Sequence, residues 1–186
     1  MAEREAAAGC ESTLTEAEKR AAEKAVTMSC VKYADLSCNR EKAYVFDFDR
    51  MLDPQGNTGC YLLYAFMRIR SIARTAGVDT KVIPSWGNLL SLKEKEERKL
   101  AKRILQWYDR IEIVEKEMYM HVICDWLYDV AKLFTEFYGK HFVVIKNKET
   151  KEVEKVHKDR LMLCELTAVA MKRAFDVLGF HTVEKM

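Results

Sequence analysis

Apolar residues recur at three- and four-residue steps along most of this chain, the spacing of helices that bury one face. Leu14, Ala17, Ala21, Ala25 and Met28 share one such stripe and carry it toward Tyr33 and Leu36. Thr13 or Thr15, with Glu16 and Glu18 downstream, supplies the capping groups. The pattern breaks over 37–57 (SCNREKAYVFDFDRMLDPQGN), where Tyr44, Phe46 and Phe48 alternate with Val45 and Asp47 and predict a short extended stretch. Pro54, Gly56 and Asn57 are turn residues. Asn57 or Thr58 caps the next helix, which runs to about Ala76 and stops at Gly77. Pro84 and Gly87 interrupt the segment after it. Residues 91–106 read as a charged amphipathic helix with Leu92, Leu100, Ile104 and Leu105 inward, and 110–138 as one or two helices ending at Gly139. The apolar run 141–145, followed by KNKETKEVEKV, predicts a small hairpin or a long charged loop. A last helix over 158–178 places Leu161, Cys164, Ala168, Met171, Phe175 and Leu178 on one face before Gly179. The sum is an all-α helical bundle with a minor β-hairpin near 141–157.

Composition agrees with that outline. The 186 residues suit one domain, or one plus an appended segment, and 49% hydrophobic content supplies a core. Two prolines and seven glycines leave room for long helices. The formal charge of +2 does not announce a nucleic-acid binder, although a local patch can still bind RNA. None of the six cysteines (Cys10, Cys30, Cys38, Cys60, Cys124, Cys164) sits in a C-x-x-C pair or at metal-ligand spacing from a histidine. No metal site is expected; reduced thiols in a cytoplasmic protein are. The amino terminus is polar, unlike a signal peptide, and no apolar run approaches the roughly 20 residues that span a bilayer. Asp47, Asp49 and Asp53 read as capping residues, the four histidines as packing or surface residues, and Trp86, Trp107 and Trp126 as core anchors.

Residues 58–76 (TGCYLLYAFMRIRSIARTA) carry the candidate chemistry. At about 100° per residue, Leu62, Ala65, Phe66, Ile69, Ile72, Ala73 and Ala76 fall within an arc of about 120°, a normal core face. Tyr61, Tyr64 and Arg68 fall in a narrower arc of about 60° beside it, while Arg70 and Arg74 project on the far side. Two tyrosines and an arginine on the border between core and water can stack on unpaired bases and donate to base edges or phosphate. Spacing alone favours a structural reading, with packed rings and wet hydroxyls.

The stretches 31–74 (VKYADLSCNREKAYVFDFDRMLDPQGNTGCYLLYAFMRIRSIAR), 124–138 (CDWLYDVAKLFTEFY) and 160–180 (RLMLCELTAVAMKRAFDVLGF) closely resemble arginine–tRNA ligases, most of all the eukaryotic cytosolic type. The likeness covers about residues 13–186. It implies the all-helical, carboxy-terminal anticodon-binding domain of a class I synthetase. On that reading 1–12 is a flexible tail, 13–40 the helical connector that follows the catalytic domain, and 41–186 the anticodon-binding domain. Every arginine tRNA carries C in the middle of its anticodon, and the resemblance implies that Tyr61, Tyr64, Arg68 and the terminal Met186 help hold that base. Arg70 and Arg74 are candidates for the tRNA backbone. The H-x-G-H element with which such ligases activate their amino acid is missing from the sequence. This chain alone is therefore expected to bind neither ATP nor Mg²⁺ and not to aminoacylate; those cofactors are implied only for the full-length family. The expected partners are tRNA(Arg) and, beyond it, the missing catalytic domain or other synthetases, with no membrane or DNA.

The chain departs from the family pattern in places. Gly59 stands where a small Ala is usual, 104–110 (ILQWYDR) lacks a usual Phe-Pro-Glu, and 78–90 match weakly. The basic residues Lys93, Lys95, Arg98, Lys99, Lys102 and Arg103 could face tRNA. Interleaved Glu94, Glu96 and Glu97 favour a solvated helix with intrahelical ion pairs instead.

Overall fold

The computed structural model describes residues 15–147, 149–150 and 152–182. The expected tail 1–12 and Met186 lie outside them. Among the described residues the helices are α1 (Glu16–Leu36), α2 (Phe48–Met51), α3 (Gly59–Thr75), α4 (Lys95–Leu105), α5 (Trp107–Glu117), α6 (His121–Lys140) and α7 (Lys158–Val177). A 3₁₀ segment, Thr80–Leu89, links α3 to α4. Between α6 and α7 lies the hairpin, β1 (Val144–Lys146) against β2 (Val153–Val156), with Val144 opposite Val156 and Ile145 opposite Lys155. The helical bundle with a small antiparallel hairpin is thus what the sequence pattern predicts.

Helix α3 is the hub. It packs against α1, α6 and α7, so its buried surface is wider than the 120° arc read from the sequence. Leu63 and Met67, away from the expected core face, are buried along with Leu62, Ala65, Phe66, Ile69, Ile72 and Ala73. Tyr64, Arg68, Ser71 and Arg74 are its exposed positions. Thr58 caps it: its hydroxyl oxygen accepts the Tyr61 N–H at 3.2 Å and its O–H donates to the Asp53 carbonyl at 2.6 Å. Asn57, the other capping candidate, instead accepts from the Tyr33 hydroxyl. Gly77 ends the helix at φ +64°, where a side chain is disfavoured.

The largest fully buried side chains include Trp126, Tyr33, Phe134, Phe137 and Phe175. Burial of each contributes about 1.5–3 kcal/mol before conformational entropy is charged against it. Trp126 is the anchor expected, its Nε1–H donating to the Arg103 carbonyl at 2.7 Å, whereas Trp86 and Trp107 are only partly buried. The carboxy half of α1 is also part of the bundle, with Ser29, Cys30 and Tyr33 buried.

Three local expectations need correcting. The 44–48 alternation forms no strand: Asp47 caps the four-residue α2, accepting the Arg50 N–H at 3.0 Å, which ends any extended run. Leu105 is 76% exposed, because it lies about 140° around the helix from buried Leu100. Of the one or two helices expected over 110–138 the structure has two, with Met118 at a left-handed φ of 56° separating α5 from α6. The acidic residues of α4 make tertiary ion pairs rather than pairs within their own helix. Glu97, nearly fully buried, accepts from Arg160 Nε at 2.9 Å, and Glu96 from Lys140 Nζ at 2.6 Å.

Candidate nucleic-acid interface

Tyr61, Tyr64 and Arg68 succeed one another at i, i+3 and i+7 along a single edge of α3, the first half-buried and the other two exposed. Tyr61 is half-buried: its ring meets Tyr128 edge-on at 5.8 Å and its hydroxyl lies 3.5 Å from Thr135 Oγ1. Tyr64 is 60% exposed, an unusual fraction for a ring so close to a core. Arg68 is exposed, and its guanidinium lies over the Tyr138 ring at 4.7 Å from the centroid. That contact holds the cation in place without neutralising it.

The second row of this surface comes from α6, which sequence reasoning leaves without a role. Tyr128, Lys132, Thr135 and Tyr138 recur at steps of four, three and three residues along that helix. Lys132 Nζ sits 5.2 Å from the Tyr128 ring centroid. Tyr138 stacks on buried Phe134, with centroids 5.9 Å apart and planes inclined by 20°, which fixes the ring beneath Arg68. The signal is present in CDWLYDVAKLFTEFY. Tyr128 and Thr135 border a face made of Trp126, Leu127, Val130, Ala131, Phe134 and Phe137, the same relation that singles out Tyr61 and Tyr64 on α3. Only the pairing of α3 with α6 is hidden, because it is a tertiary fact.

Two shallow grooves flank the ridge. One, of about 620 Å³, is lined by Tyr61, Asp129, Lys132, Leu133, Thr135 and Glu136. The other, of about 400 Å³, runs past Arg68, Ser71, Ile72, Thr75 and Tyr138 to Phe142, Val144 and Lys146 of the hairpin region. Each wall offers flat apolar rings beside hydroxyls and cations, the mixture that stacks a base and pairs its polar edge. Asp129 does not cancel the cations fully, since it is already paired with Arg103 and lies 3.9 Å from Lys132.

Arg70 is placed differently from the sequence expectation. Its Nη1 lies 2.9 Å from both carboxylate oxygens of Glu165 on α7, and its Nη2 lies 3.4 Å from Thr80 Oγ1. The side of α3 assigned to solvent is the side that α7 covers, so this cation is spent inside the bundle. Arg74 is exposed, but about 120° around the helix from Arg68. At the carboxy end, Phe180 packs edge-on against Tyr33 at 6.0 Å, and Tyr33 in turn donates to Asn57 beside the α3 cap. Among the described residues no three His, Cys, Asp or Glu side chains gather as metal ligands would, and no helix is long and apolar enough to cross a membrane.

Residues 62–186 match the DALR anticodon binding domain. Over 175 residues the chain is 43% identical to the cytoplasmic arginine–tRNA ligase of Rattus norvegicus and 44% identical to that of Gallus gallus. Each of these alignments covers 93% of this chain and 26% of the relative, so the chain spans about a quarter of the length of the curated relatives it matches. The crystal structure of arginyl-tRNA synthetase from Plasmodium falciparum superposes with a TM-score of 0.74 at 33% identity, over 87% of this chain and 27% of that one.

Proposed function

The chain belongs to the DALR anticodon binding domain family, and from that premise we propose that it binds arginine tRNA at the anticodon, through the edge shared by α3 and α6. One observation carries the reading: two tyrosines and an arginine stand in line at the solvent border of α3, faced by a second aromatic and cationic row on α6. An unstacked cytosine needs a flat face to lie on and donors for its O2 and phosphate oxygens; Tyr64 and Tyr61 supply faces and hydroxyls, Arg68 the donors. A terminal Met186 near the same base remains part of the proposal. Arg74 serves at most the flanking backbone, and Arg70 contributes through the fold.

Arginine–tRNA ligation is proposed as the activity of a whole protein to which a chain like this contributes its tRNA-reading part. The ATP- and Mg²⁺-dependent step belongs to the remainder of the ligase, and the cytoplasm is the proposed location. A second reading, docking to that remainder or to other synthetases, draws on the exposed Val45, Phe46, Phe48 and Leu52 of the segment before α3. It predicts partner binding that survives Tyr61→Ala and Arg68→Ala.

The test is a binding titration of the chain with arginine tRNA and with the same tRNA carrying U in place of the middle anticodon C. The expected result is weaker binding of the substituted tRNA by roughly tenfold, the 1–3 kcal/mol scale of a single recognised base. Equal affinity for both would remove the anticodon from the proposal.

A further inference from the structure

We propose that Cys30 of α1 and Cys60 of α3 form a redox pair, which a hydroperoxide oxidises to a disulfide that pins the two helices together one residue before Tyr61. Cys30 is fully buried and Cys60 half-buried, and each thiol is the strongest influence on the other's ionisation, as close neighbours are. The helices approach closely here because residue 59 has no side chain. A Cβ on Gly59 would stand 3.0 Å from Cys30 Cα, 3.1 Å from the Ser29 carbonyl oxygen and 3.2 Å from Tyr33 Cβ. Gly59 thus lets the backbone of α3 approach Cys30 closely at the residue next to Cys60, and a disulfide needs such a close approach.

The two thiols are also unequal, as attack and resolution require. Cys60 is lowered to about 7 by its Cys30 neighbour, which favours the thiolate at the more accessible position. Cys30 is pushed up by the same neighbour and by burial and keeps its proton. The thiolate of Cys60 attacks one peroxide oxygen, breaking the O–O bond and releasing hydroxide, or an alkoxide from an organic peroxide, to leave a sulfenic acid. The Cys30 sulfur then attacks the sulfenic sulfur. The S–S bond forms, the S–O bond breaks, and the Cys30 proton leaves with the hydroxyl as water. Peroxide is the oxidant, and the two thiols together supply two electrons. The remaining buried thiols, Cys124 and Cys164, are driven up by burial and stay inert.

The chemistry is independent of the RNA reading; its consequence for binding rests on it. The folded chain would be treated with hydrogen peroxide at pH 7, quenched, and analysed by intact mass and peptide mapping. The expected product is about 2 Da lighter, links Cys30 to Cys60, and is reversed by dithiothreitol. Cys30→Ser should instead accumulate a dimedone-reactive sulfenic acid on Cys60, and Cys60→Ser should form neither product; circular dichroism checks that both variants fold. No Cys30–Cys60 link in the folded wild type, or no sulfenic acid on Cys60 in the Cys30→Ser variant, would overturn the pair. In a parallel titration with arginine tRNA, the oxidised and reduced chains should differ at least twofold in affinity, and the difference should vanish in Cys60→Ser. A linked chain with unchanged affinity would overturn the switch. Absence of tRNA binding by the reduced chain would instead count against the anticodon reading, with the mass result still deciding the disulfide.

Discussion

Replacing Tyr64 by alanine separates recognition from folding more cleanly than any other change at this site. A tyrosine side chain presents about 200 Å². With 60% of the residue open, roughly 120 Å² is available for a ligand. A base laid on one face of the ring removes about half of that from water. At about 25 cal/mol per Å² the loss on truncation is about 1.5 kcal/mol, or roughly twelvefold in Kd. The fold should hardly notice. The side chain is mostly solvated, alanine is the better helix former, and exposed substitutions away from caps and cores stay within about 0.5 kcal/mol. Fluorescence anisotropy with labelled arginine tRNA and thermal unfolding followed by circular dichroism read the two effects separately. The expected outcome is a Kd raised by about one order of magnitude, with Tm within about 2 °C of the parent. Unchanged affinity would refute the stacking argument.

Other changes test the scaffold behind the edge. Arg70→Ala strands a largely buried Glu165 carboxylate, and after allowance for the remaining solvent access of the pair this should cost about 1–3 kcal/mol. A thermal melt should register that loss while tRNA affinity stays within about twofold; the opposite pattern would return Arg70 to the binding surface. Gly59→Ala gains helix propensity but forces a Cβ against the backbone of α1, and a net loss of about 1 kcal/mol in urea unfolding is expected. For acid stability the sign follows from Glu96, which Lys140 first and His141 second hold at about 2. Its folded value lies below the ordinary one, so its contribution is complete above the usual carboxylate range and fades as pH falls from about 5 toward 2. Glu96→Gln should therefore flatten the Tm–pH curve across that interval, and parallel curves for variant and parent would dismiss the assignment.

The elements of the bundle were legible because helix signals are local. The Thr58 cap, the Gly77 stop and the hairpin after Gly139 each depend on a few neighbouring residues. The Tyr61, Tyr64 and Arg68 edge follows from helical phase alone. What escaped is what depends on a second helix. Arg70 looked free because one helix considered by itself has a far side, and α7 abolishes it. Glu96 and Glu97 looked like partners for their own lysines, yet Lys140, His141 and Arg160 reach them from distant segments. The 44–48 alternation has the period of a strand, but no neighbouring strand pairs with it among the described residues, and Asp47 caps α2 in its place.

The same sorting of charges makes a prediction about salt. The 31 Lys and Arg residues are nearly balanced by 29 Asp and Glu, and the structure shows which of the cations are already committed. Arg70, Arg103 and Arg160 hold Glu165, Asp129 and Glu97, and Lys99 and Lys140 lie on Glu136 and Glu96. Beside Tyr61 and Tyr64, the cations that rest on rings are Arg68 and Lys132; among the described residues Arg68 has no carboxylate within ion-pair distance, and Lys132 has only Asp129 at 3.9 Å. If two phosphates are neutralised, log K should fall with log salt at a slope of about −1.4 for a single-stranded loop, so raising salt from about 50 to 200 mM should cost roughly sevenfold in affinity. Arg68→Met should bring the slope to about −0.7. A slope of about −4 or steeper would mean that a broader basic surface, such as the lysine-rich outer face of α4, supplies most of the binding. The aromatic edge would then add selectivity to an attraction generated elsewhere.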